Sequence, residues 1–102
     1  MMLDNAVPPE RFSRDMGITH REFHRTLPGA VRPYEIMHSG ERILVQSGPR
    51  KLVITLHPEN SRRIASLALP STQVDFAFMG FDDEERRQFM RRFDLCYQRG
   101  GG

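Results

Sequence analysis

Residues 73–79, Gln73-Val74-Asp75-Phe76-Ala77-Phe78-Met79, alternate with a period of two and place Val74, Phe76 and Phe78 on one face of a strand. Gly80-Phe81 turns the chain, and a helix follows at once. Asp82 is its N-cap, and Glu85, three residues on, completes a capping box. The acids of residues 82–85 sit at the positive end of the helix dipole, while Arg91, Arg92 and Arg99 lie towards the negative end. Asp82 with Arg86 and Asp83 with Arg87 are acid-before-base pairs at i,i+4. At about 100° per residue, Phe89, Met90, Phe93, Cys96 and Tyr97 share one arc, and Leu95 falls on the polar side with Arg91 and Asp94. A strand with one apolar face, joined by a tight turn to a helix with one apolar arc, is satisfied when the helix covers that face. This pair commits the chain to an α+β fold.

Upstream of it the period of two recurs. Strands are expected at about 33–38, 42–47, 51–57, 62–69 and 73–79, separated by Ser39-Gly40, Ser47-Gly48-Pro49, Pro58-Glu59-Asn60-Ser61 and Pro70-Ser71. Connections this short make neighbours antiparallel, because a parallel crossover takes a dozen residues or more. Leu52, Ile54 and Leu56 face one way, and Val53, Thr55 and His57 the other. The expected sheet is a four- to five-stranded meander with the helices on one face. Val53, and with it Val45, is expected on the outer face.

Before the sheet, Ile18-Thr19-His20-Arg21-Glu22-Phe23 reads as a helix start, with Thr19 as N-cap, Glu22 at N3, and Ile18 and Phe23 in the staple positions. This helix is expected to run to about Leu27 and to end at Pro28-Gly29. Earlier still, Pro8-Pro9 interrupts regular structure, and residues 10–16 allow a short helix with Phe12 and Met16 on one stripe, stopped by Gly17. The organisation is therefore an arm at 1–17, flexible or partly helical, one α+β domain at 18–99, and a glycine tail at 100–102.

Several function classes drop out on composition. The 102 residues carry 38% hydrophobic and 27% charged side chains, which suits one globular domain and not a disordered chain. The apolar runs fall short of the roughly 18 residues that signal a membrane span, and the first residues lack the pattern of a secretory signal. Cys96 is the single cysteine, so no intrachain disulfide forms, and a cytoplasmic location is the expectation. Lys51 is the only lysine among fifteen basic residues. Arginine suits bidentate recognition of phosphate and carboxylate, but here the arginines are spread along the chain and interleaved with acids.

No pattern points to catalysis. Gly-x-Ser-x-Gly and the phosphate-binding glycine loops are absent. His20 and His24 stand at i,i+4 on the first helix without the glutamate placement of the zincins and without a third ligand nearby in sequence, so no metal site is assigned. Cys96 lies inside the apolar arc, where a thiol behaves as a small hydrophobe. No cofactor is implied.

The leading expectation is a small, non-catalytic binding or adaptor protein acting through protein–protein contacts, self-association included, with Leu95, Arg91 and Val53 as contact residues. The alternative is a nucleic-acid-binding protein. Residues 13–27 approach helix-turn-helix spacing, and Arg21, His24 and Arg25 would project from the second helix. A further alternative rests on the tail. Gly100-Gly101-Gly102 resembles the Gly-Gly ends of small sulfur carriers and ubiquitin-like modifiers, which implies a carrier role. In those families, however, the tail leaves a strand of a β-grasp fold, whereas here it follows a helix.

Overall fold

The computed structural model describes residues 6–100. The elements run β1 (Arg11–Met16), α1 (His20–Val31), β2 (Glu35–Ser39), β3 (Arg42–Ser47), β4 (Arg50–Leu56), β5 (Asn60–Ile64), β6 (Leu67–Met79) and α2 (Asp83–Gly100). The strands form a six-stranded sheet, in which the order β1-β6-β4-β3-β2 is the main path and β5 pairs with β6. All pairings are antiparallel. From β2 to β4 it is the expected antiparallel meander, β4 then pairs directly with β6, and both helices cover one face.

The register explains the core. Val45 opposes Leu52 and Leu52 opposes Phe78, while Ile43 opposes Ile54 and Ile54 opposes Phe76. These six side chains are buried beneath the helices, together with Phe23, Leu27 and Val31 of α1 and Phe89, Met90, Phe93 and Tyr97 of α2. The aromatic rings interlock: Phe93 meets Phe76 edge-on with centroids 5.4 Å apart, and Phe23 stacks on Tyr97 at 5.1 Å. The Tyr97 hydroxyl donates to the Phe23 carbonyl at 2.7 Å, and its burial pushes its pKa up. Val45, expected on the outer face, is thus a core residue.

The helix starts are largely as the sequence implies. In α2 the capping box is complete: Glu85 N–H donates to Asp82 Oδ1 at 2.8 Å, and Asp82 N–H donates to Glu85 Oε1 at 2.9 Å. In α1, Thr19 caps the Glu22 N–H at 3.1 Å, and the next residue's N–H, that of His20, donates to Glu59 at 2.7 Å. The acid–base pairs of α2 form at i,i+3, Asp83 with Arg86 and Glu84 with Arg87. The Arg86 side chain is buried and ties residues 8–10 to the helix start, donating to the carbonyls of Pro8 at 2.9 Å and Phe81 at 3.1 Å.

Four expectations need correction. Residues 10–16 are not helical: they lie within or next to β1, which adds one strand to the expected count. Phe12 and Met16 fit a four-residue stripe, but Phe12, Arg14 and Met16 fit a period of two equally well, and the free edge of β6 decides in favour of the strand. Pro28 does not end α1, which continues to Val31. Ala30 and Val31 are buried, and Arg92 of α2 donates to the carbonyls of Gly29 and Arg32, so packing holds the last turn past the proline. The expected strand at 62–69 is two strands folded back through Ala65-Ser66. Pro70-Ser71 does not interrupt β6, because Pro70 needs no ladder bond on its unpaired edge. The expectations for residues 1–5, and for Gly101 and Gly102 of the glycine tail, lie outside the described residues.

Candidate functional site

The face of the sheet turned away from the helices has no cover among the described residues. Across it the register aligns Arg11, Ala77, Val53, Leu44 and Met37 in one row, with Ser13, Asp75, Thr55, Arg42 and Ser39 in the next. The first row is apolar along four of its five positions. Its surroundings are balanced in charge, with Arg11, Arg42 and Lys51 set against Asp15, Glu35 and Asp75.

Beyond Thr72 the sheet narrows to a two-stranded ribbon. β5 continues the edge held by β4, with its register on β6 shifted by one residue across Pro58-Glu59. Alternation along β6 puts Leu67 and Leu69 on the side of Asp75 and Ala77, and cross-strand pairing adds Ile64 opposite Leu67 and Arg62 opposite Leu69. The ribbon's apolar side is therefore continuous with the uncovered sheet face. Among the described residues seven large apolar side chains are exposed, and five of them are here: Met37 54%, Ile64 54%, Leu67 62%, Leu69 42% and Met79 47%. The other two, Val7 and Leu95, line a groove between β1 and α2.

The residues expected to make contacts fall in two places. Val53 sits in the apolar row of the open face, and Leu95 and Arg91 sit on the outer side of α2, with the sheet between them and Val53. Arg21, His24 and Arg25 are exposed on α1, where Arg25 pairs with Glu22 at 2.5 Å. The helix-turn-helix reading of residues 13–27 fails, because the element before α1 is a strand. His24 packs against His38 with centroids 5.3 Å apart and ring planes tilted by 55°. Partial burial, followed by the neighbouring His38 and His20, lowers the His24 pKa. The His20 ring takes a different partner, donating from Nε2 to the His57 carbonyl at 2.7 Å.

The open face also gathers Ser13, Asp75 and His57, which are far apart in sequence. Ser13 Oγ donates to Asp75 Oδ1 at 2.6 Å, and His57 Nε2 donates to Asp75 Oδ2 at 2.8 Å. The His57 bond and then the Ser13 bond hold the Asp75 carboxyl below its ordinary pKa. The order of contacts matters chemically. A hydrolase triad needs the imidazole between the hydroxyl and the carboxylate, so that it can take the hydroxyl proton. Here the carboxylate is in the middle and accepts from both, which ties β1, β6 and the end of β4 to one another and leaves the serine without an imidazole partner. No group of three or more His, Cys, Asp or Glu among the described residues is placed to hold a metal ion. No described helix is long and apolar enough to cross a membrane. No protein-family model matches the chain, and no curated protein or solved structure is significantly similar to it.

The row Ala77-Val53-Leu44-Met37 and the ribbon went largely unread in the sequence. Alternation on β4 had singled out Val53, but which side of β2 and β3 joins it depends on register. The ribbon carries no glycine or asparagine at its turn, so nothing local announced it.

Proposed function

We propose that this chain is a small cytoplasmic binding module, without catalytic activity of its own, that acts through protein–protein contacts on the uncovered sheet face and ribbon. One observation carries this reading: five of the seven exposed large apolar side chains lie on that single continuous face. Scattered exposed apolar residues need no explanation, but Ile64, Leu67 and Leu69 cluster on the ribbon, and such a cluster marks a contact site. Five strands about 4.8 Å apart, over some six residues each, present a footprint of roughly 500 Å², and the ribbon adds roughly 150 Å². On a rugged surface this approaches the about 800 Å² per partner of a standard interface. The balance of charge favours a second copy of the chain as partner. A two-fold contact opposes each patch to itself, and a patch of one sign would repel its copy.

The test is sedimentation velocity over a concentration series. The expected result is a reversible dimer that becomes monomeric in the Leu67→Asp/Leu69→Asp variant, with the fold retained. A wild-type protein that stays monomeric at high concentration and captures no protein through this face sinks the proposal. The competing reading, nucleic-acid binding through Arg21, His24 and Arg25, draws on their exposure on α1. Salt separates the two, since phosphate contacts weaken steeply with ionic strength and an apolar contact does not.

A further inference from the structure

The two exposed apolar side chains that lie off the sheet face, Val7 and Leu95, belong to a groove of about 770 Å³ between residues 6–9, β1 and α2. Its floor includes Phe12 and Met90, and its rim carries Arg14, Arg87 and Arg91 against one carboxylate, Asp94. That carboxylate is already held by Arg14, through contacts of 2.5 and 3.2 Å. Arg87 pairs with Glu84. Arg91 has no hydrogen-bond or ion-pair partner among the described residues. The groove thus offers an apolar floor beside one uncompensated guanidinium, that of Arg91.

One wall of this groove is a strand edge. β1 pairs with β6 on one side only, and its other edge is open among the described residues. The Phe78 N–H donates to the Glu10 carbonyl at 2.8 Å, so Glu10 faces its partner strand. In an antiparallel ladder alternate residues face inward, which turns Phe12, Arg14 and Met16 towards β6 and the main-chain groups of Arg11, Ser13 and Asp15 outward. Ser13 lines the groove although its hydroxyl is bonded to Asp75 on the other face, so its share of the wall is main chain. Unpaired donors and acceptors at a fixed spacing beside an apolar trough are what β-strand addition requires.

We propose that the β1–α2 groove binds an extended acidic peptide, which adds as a further strand to β1. Main-chain bonds to Arg11, Ser13 and Asp15 supply the pairing. Every second side chain of the peptide then points into the groove. An aliphatic residue seats between Val7, Met90 and Leu95, and an acidic residue two positions away meets Arg91. This site is separate from the open sheet face, and neither depends on the other.

The experiment is selection on the purified full chain from a display library of short peptides with threonine at alternate positions and randomised residues between. The expected winners carry a central aliphatic residue with Asp or Glu at a neighbouring randomised position. Arg91→Glu abolishes the acidic preference while leaving any self-association unchanged, which keeps this test distinct from the previous one. Ser13→Ala, which loses only the bond to Asp75, keeps the wild-type affinity. Ser13→Pro, which removes an outward N–H without touching the β6 ladder, weakens binding about tenfold. Should Ser13→Pro fail to fold, amide exchange of the wild type replaces it, with slowed exchange at Arg11, Ser13 and Asp15 on peptide addition. No enrichment, basic winners, equal binding by Arg91→Glu, or unchanged exchange at those amides would each overturn the proposal.

Discussion

Two residues in left-handed backbone conformation make opposite statements about what the fold demands. Gly80 turns β6 into α2 at φ +76, and a Cβ there would lie 2.1 Å from the Pro49 carbonyl oxygen. Backbone cannot give way as a flexible side chain can, so Gly80→Ala meets both the left-handed cost and a clash. It is expected to lose about 2–4 kcal/mol in urea unfolding, with the midpoint shifted and the slope unchanged. Ala65, at the ribbon tip, has φ +56 although it is not glycine. Here Ala65→Gly relieves about 1–2 kcal/mol of backbone cost but adds freedom to the unfolded chain, so the net expectation is a gain of up to about 1 kcal/mol. The same pair explains a difference in legibility. Gly80 announces its turn in the sequence, whereas an alanine in that conformation is invisible, and residues 62–69 read as one continuous strand.

At the scale of elements, the strongest local signals survived. The α2 capping box, its apolar arc and the alternation of β4 and β6 are set by near neighbours and read directly. What failed was decided by distant partners. Residues 10–16 became a strand because β6 had an edge to fill, and α1 outran Pro28 because Ala30 and Val31 found the core. The exposed face of α1 carries its own prediction. His24 lies beside His38 and His20, and its pKa is lowered from 6.5 in the folded protein, by partial burial first and the two imidazoles second. The unfolded chain therefore binds this proton more readily than the folded one. The sign follows: stability is at its full value above pH 6.5 and falls as the pH drops below it towards the folded-state pKa. His24→Gln should flatten this segment of the stability–pH curve, and His38→Gln should flatten it in part. Urea midpoints measured between pH 7.5 and 5 that fall equally in all three proteins would assign the effect elsewhere.

The whole molecule is flat and elongated, with extents of 46 × 37 × 21 Å, and the ribbon projects beyond the part of the sheet that the helices cover. Ile64, Leu67 and Leu69 lie outside the buried core, so they do little to hold the monomer together. A two-stranded ribbon with an apolar side is at best marginal alone in water, which is why the proposed contact is placed there. This separates two roles along β6. Thr72, fully buried, donates to the Ile18 carbonyl at 2.7 Å, and Glu59 receives the His20 N–H, so the root of the ribbon belongs to the fold. The outer part, residues 61–70, belongs to the proposed contact surface. Replacing residues 61–70 with Asn-Gly keeps Asn60 opposite Ser71 and supplies a two-residue hairpin turn. The shortened protein is expected to melt within a few degrees of the wild type, because no core side chain is removed and the loop it closes is shorter. It is also expected to lose self-association completely, while acidic peptides still bind in the β1–α2 groove on the far side of the sheet. A large drop in melting temperature would show that the ribbon is part of the fold itself. Undiminished association would place the contact on another surface.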